Sequence, residues 1–92
     1  MINHLKVTVK GNVKAINYPK YTCEQANKLG IKGFVLSAAD DAIYMEIEGN
    51  APELAKMLSW CKKGSPECRV KSIQITSGAY MGYTSFEMKQ LN

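Results

Sequence analysis

Ninety-two residues suffice for one domain with two packed layers around a single core, and one domain spanning 1–92 is expected. Hydrophobic residues make up 46% of the chain and charged residues 22%, a globular composition that excludes disorder, and no apolar run approaches the ~20 residues of a membrane span. The net charge of +4 comes from scattered lysines, with Arg69 the only arginine, so it reads as a solvated surface rather than a nucleic-acid footprint. The opening Met1-Ile2-Asn3-His4-Leu5-Lys6 lacks the apolar region of a secretory signal, so a cytoplasmic location and no membrane association are expected.

In chain order, Leu5, Val7 and Val9 alternate with Lys6, Thr8 and Lys10, which predicts a half-buried strand ending near Gly11. From Lys20 the period changes: Thr22, Ala26 and Leu29 form the inward stripe of a helix that Gly30 stops. A β-prone run through Phe34, Val35 and Leu36 is followed by Asp40-Asp41 as a hairpin turn. Ile43, Met45 and Ile47 then alternate against Tyr44, Glu46 and Glu48. Asn50-Ala51-Pro52-Glu53 is a helix start with a capping side chain, proline in the first turn and an acid at the third helical position. Leu54, Met57, Leu58 and Cys61 supply that helix's apolar face, and Gly64 ends it. Val70, Ile73 and Ile75 predict a fourth strand whose slipped alternation marks a bulge, and Thr84, Phe86 and Met88 a last strand. The order β-α-β-β-α-β plus a C-terminal strand is that of an α+β ferredoxin-like sandwich, two helices on one face of a mostly antiparallel sheet.

Candidate chemistry outside that framework is sparse. Cys23, Cys61 and Cys68 form no C-x-x-C and His4 stands isolated, so no zinc site or Cys–His pair is expected and the cysteines read as free thiols. Asp40 and Asp41 lack the further oxygen ligands a hard cation needs. Trp60, Tyr80 and Tyr83 read as packing or edge aromatics. The open sheet face is expected to carry Lys6, Thr8, Lys10, Tyr44, Glu46 and Glu48 as a solvated, mixed-charge surface without stacking aromatics. Lys32-Gly33-Phe34 resembles an RNA-binding motif only in its first three residues and sits on the wrong strand.

The framework positions resemble one family along nearly the whole chain. Val9-x-Gly11-x-Val13-Lys14-Ala15-Ile16-Asn17-Tyr18-Pro19, followed by Ala26-x-x-Leu29-Gly30-Ile31-x-Gly33-x-Val35, is similar to the acylphosphatase signature V-x-G-x-V-Q-G-V-G-F-R and A-x-x-L-G-L-x-G-x-V. The likeness continues through Asp40, Ile43 and Glu48-Gly49, then Gly64-Ser65-Pro66, Cys68, Val70, Ile73 and Phe86. The resemblance implies the ferredoxin-like fold and hydrolysis of acyl phosphates without metal or cofactor. It also implies a phosphate cradle of backbone N–H groups between the first strand and first helix, an arginine that pairs with the phosphate, and an asparagine after the second strand that positions water.

In this chain the arginine position is Pro19 and the asparagine position is Ser37, and the cradle runs Lys14, Ala15, Ile16, Asn17, Tyr18, with Lys20 just beyond. Proline offers no side-chain donor and no N–H, whereas each charge-assisted bond of an arginine fork contributes about 1.5–3 kcal/mol. Serine keeps a hydroxyl but lacks the amide's fixed donor and acceptor pair, and losing one positioned donor typically costs about 10²–10³ in rate. The expectation is an inactive relative serving as a binding or interaction module, monomeric, with at most weak phosphate or sulfate binding and an unidentified partner. Two alternatives stand beside it: a hydrolase remodelled around Lys14 or Lys20, and a nucleic-acid-binding module, disfavoured by the missing arginines and stacking aromatics.

Overall fold

The computed structural model describes residues 2–12, 18–38, 42–63 and 69–89. Strand β1 (Asn3–Asn12) leads to helix α1 (Tyr18–Leu29), strands β2 (Lys32–Ser37) and β3 (Ala42–Gly49), helix α2 (Ala51–Lys63), and strands β4 (Arg69–Gly78) and β5 (Phe86–Lys89). The expected Asp40-Asp41 turn and the Gly64 stop lie outside the described residues. The five strands form one sheet in the order β4-β1-β3-β2-β5, antiparallel except where β5 runs parallel to β2. This is the ferredoxin-like arrangement that the element order predicted.

Alternation sets the two faces. Val7, Val9, Val35, Ile43, Met45 and Ile47 point inward and are buried with Ala26 of α1 and Leu54, Met57 and Cys61 of α2. The predicted fourth-strand slip is present: Lys10 pairs with Ser72 but Gly11 with Val70, leaving Lys71 as the extra residue of a bulge. Helix α1 ends as expected at Gly30, whose φ of 75° opens a left-handed turn. There the Gly30 N–H donates to the Asn27 carbonyl and the Ile31 N–H to the Ala26 carbonyl. Helix α2 opens on a reciprocal cap, the Glu53 N–H donating to Asn50 Oδ1 at 3.0 Å and the Asn50 N–H to Glu53 Oε1 at 3.2 Å.

The last strand is shorter than predicted. Thr84 precedes it, Phe86 is buried, and Met88 stays 52% exposed at the sheet margin. The chain reaches it through residues 79–85, which cross the open face of the sheet as a strap.

Candidate functional site

The register builds one end of the sheet from the expected site. β1 and β2 both run antiparallel to β3 and are therefore parallel to each other, with Lys10 opposite Ala42 and Ser37 opposite Ile43. The chain thus leaves β1 and β2 at the same end of the sheet, flanking the start of β3. Lys14, Ala15, Ile16 and Asn17 lie outside the described residues. Pro19 is the second residue of α1, half-buried, where a missing N–H leaves no helical bond unmade. Lys20 beside it is exposed, and Ser37 is exposed at the end of β2.

Tyr18 packs its side chain between the helices. Its side chain is fully buried, its hydroxyl donates to the Cys61 carbonyl at 3.2 Å, and its ring lies 5.4 Å from Trp60. Its carbonyl accepts the Thr22 hydroxyl at 2.8 Å. Tyr18 and Trp60 therefore tie α1 to α2, as packing aromatics do. The Cys61 thiol is buried and free, pushed up to about 12 by burial despite the opposing hydrogen bond of Tyr18, and is inert as a nucleophile. Cys23 is also free, while Cys68 lies outside the described residues. No group of three or more acidic, histidine or cysteine side chains among the described residues could hold a metal.

The open face departs from expectation in two ways. The first concerns His4, which is not isolated. It is directly opposite Glu48 in the β1–β3 register and two residues from the Lys6–Glu46 pair, so all three side chains share one face. His4 Nδ1 lies 2.7 Å from Glu48 Oε2, and Nε2 lies 2.7 Å from Glu46 Oε1. Glu48 is only 2% exposed, because the strap closes over it: the Met81 N–H donates to Oε2 at 2.6 Å and the Tyr83 N–H to Oε1 at 3.0 Å. Glu46 accepts from the Tyr44 hydroxyl at 2.8 Å and the Tyr83 hydroxyl at 3.3 Å. Burial alone would raise both carboxyls, yet these donors outweigh it: Tyr44, His4 and Tyr83 hold Glu46 below its ordinary range, and His4 with the two strap amides does the same for Glu48. In return, burial and the Glu46 charge push Tyr44 up to about 12 and raise Tyr83.

The second departure is aromatic. Phe34 faces Glu46 in register, which puts it on the open face, where its ring lies 6.1 Å from Tyr44 and 5.9 Å edge-on from Tyr83. Lys89 Nζ sits 4.5 Å from the Phe34 ring centre. Phe34 and Tyr83 thus join the expected Tyr44 on this face, where the three rings pack on one another. Tyr80, also on the strap, is exposed.

A groove of about 400 Å³ between Ile2, Leu5, Leu54, Leu58 and Tyr80 lies at the His4 end of the sheet, opposite the end that carries Ser37. Of the sequence-predicted residues described, Ser37 lies at the end of the sheet away from this groove.

Fold and framework together define a small α+β sandwich whose sheet end holds the first-helix start. The Acylphosphatase family model matches residues 5–88. The chain is 35% identical over 83 residues to the acylphosphatase of Syntrophobacter fumaroxidans, covering 89% of this chain and 86% of that one. A crystal structure of acylphosphatase from Bacillus subtilis superposes with a TM-score of 0.91 at 23% identity, covering 97% and 99% of the two chains. An acylphosphatase from Coxiella burnetii gives 0.92 at 18%, covering 96% and 93%. The chain belongs to the acylphosphatase family.

Proposed function

We propose that this chain is a single acylphosphatase-like domain without the family's hydrolytic step, its fold retained as a small binding module. The observation that carries the reading is Pro19 in the first turn of α1. At the position where the resemblance places a phosphate-binding arginine, the side chain is an apolar ring with nothing to donate. Ser37 at the end of β2 supports it, since a short hydroxyl cannot hold water with the paired donor and acceptor of an amide. Both family glycines of the cradle are replaced, and while Asn17 tolerates the positive φ an anion nest uses, Ala15 disfavours it by about 1–2 kcal/mol. No metal or cofactor is required by this reading. A cytoplasmic location is supported by the free thiols of Cys23 and Cys61.

A second reading is favoured by the relatives, which are themselves called acylphosphatases. In it Lys14 or the exposed Lys20 replaces the arginine. A helix N-terminus and one lysine supply positive charge but no planar fork. A rescue series separates the two: hydrolysis of an aryl acyl phosphate by wild type, by Pro19→Arg with Ser37→Asn, and by that pair plus Ala15→Gly and Asn17→Gly, each first shown to be folded. The proposal expects an inactive wild type and a quadruple variant faster than the double variant, because the amides must hold phosphate before a guanidinium can align it. A double variant as fast as the quadruple one would show that the cradle was intact.

A further inference from the structure

The two margins of the sheet are built differently. β5 is four residues long and carries Glu87 and Lys89, which blunts that margin against further strands. β4 is ten residues long and pairs only with β1 among the described residues. Its charges are confined to its start, at Arg69 and the bulged Lys71. From Ser72 to Gly78 it has no charge, no proline and no bulge, and Gln74, Ile75, Thr76 and Ser77 are exposed in succession. Ile75 leaves 42% of its surface in water although it sits on the helix-covered side of the sheet, opposite Val7.

We propose that this margin is a self-association surface: two copies join antiparallel through β4, about a two-fold axis at Gln74, in place of the monomer expected from the sequence. The β4 sequence is complementary to itself in that register. Ile73 meets the second copy's Ile75 twice, covering the exposed isoleucine. Ser72 meets Thr76, an uncharged hydroxyl pair, and each Lys71 faces a serine instead of another cation. The lysines of β1 do not oppose it. Lys6 and Lys10 neighbour Thr76 and Ser72, so lysines of the two copies stand three strand spacings apart, about 14 Å, beyond the screening length of roughly 8 Å at physiological salt. Backbone groups that β4 now presents to water would then pair across the axis, giving one ten-stranded sheet.

The experiment is sedimentation equilibrium of the full chain with Gln74→Lys and Gln74→Glu variants, each first shown to keep the wild-type circular dichroism. Wild type is expected to dimerise with concentration. Either variant places like charges directly across the axis and should be at least tenfold weaker, while an equimolar mixture of the two should restore the dimer as a heterodimer. A wild type that stays monomeric up to about 1 mM overturns the proposal. So does a dimer that neither variant weakens, which would place the contact elsewhere, or variants whose mixture stays monomeric.

Discussion

His4 lies between two carboxylates at 2.7 Å each, and each of those oxygens needs a donor. The same two oxygens accept from the Met81 N–H and the Tyr83 hydroxyl, so ring, strap and sheet are joined at one point. Replacing His4 by glutamine removes the ring contacts to buried Glu48 and to Glu46, and His4→Gln should cost about 2 kcal/mol in denaturant unfolding. The acid limb follows from Glu46 and Glu48. Both titrate lower in the folded than in the unfolded chain, so their stabilisation is complete above the ordinary carboxylate range and is lost as pH falls through the lowered folded values. Glu48→Gln should thus flatten the acid loss of stability seen in wild type. An unchanged acid limb would mean that the strap is held by packing alone.

At the scale of elements, local signals were legible and pairing partners were not. Asn50 and Glu53 announce a capping box three residues apart, and Asn50→Ala should cost about 1 kcal/mol in the same unfolding measurement. Gly30 announces a helix stop in the same local way. His4 and Glu48, by contrast, are 44 residues apart. The alternation of Leu5-Val7-Val9 and of Ile43-Met45-Ile47 tells which side chains face inward, but sliding one strand by two residues keeps every face correct while changing every partner. The contacts of His4 with Glu46 and Glu48 were hidden in that freedom, and the strap that covers Glu48 has no periodic signal. Phe34 was missed for a related reason, since a run reading Phe-Val-Leu does not say which residue faces out until β3 and β5 are placed on either side. Gly33 fixes that placement. At its φ of 138° a Cβ would fall on the Glu46 carbonyl, so Gly33→Ala should destabilise by at least about 2 kcal/mol and shift the Phe34 and Tyr44 ring resonances.

The whole molecule separates framework from chemistry. Buried positions on four strands and two helices, with half-buried Val70 and Ile73 on β4, underlie a fold that superposes on the Bacillus subtilis acylphosphatase at a TM-score of 0.91, while the positions that the resemblance assigns to phosphate and water hold proline and serine. Backbone packing is indifferent to Pro19, because a helix's first turn leaves its N–H groups unbonded in any case. The fold can therefore outlive the reaction. Anion binding should follow the same division: phosphate titrated into labelled protein should bind in the millimolar range or weaker, with ~4 kcal/mol or less of binding free energy. Saturation of the Val13–Tyr18 amides at micromolar phosphate would contradict it.

Hydrolysis of an aryl acyl phosphate by the folded wild-type chain, measured against the uncatalysed rate in the same buffer, bears most directly on the proposed loss of the reaction. No acceleration is expected at enzyme concentrations where a family-like rate would consume the substrate at once. A rate well above background that disappears in Lys14→Ala or Lys20→Ala would contradict it and assign the chemistry to a lysine in place of the missing arginine.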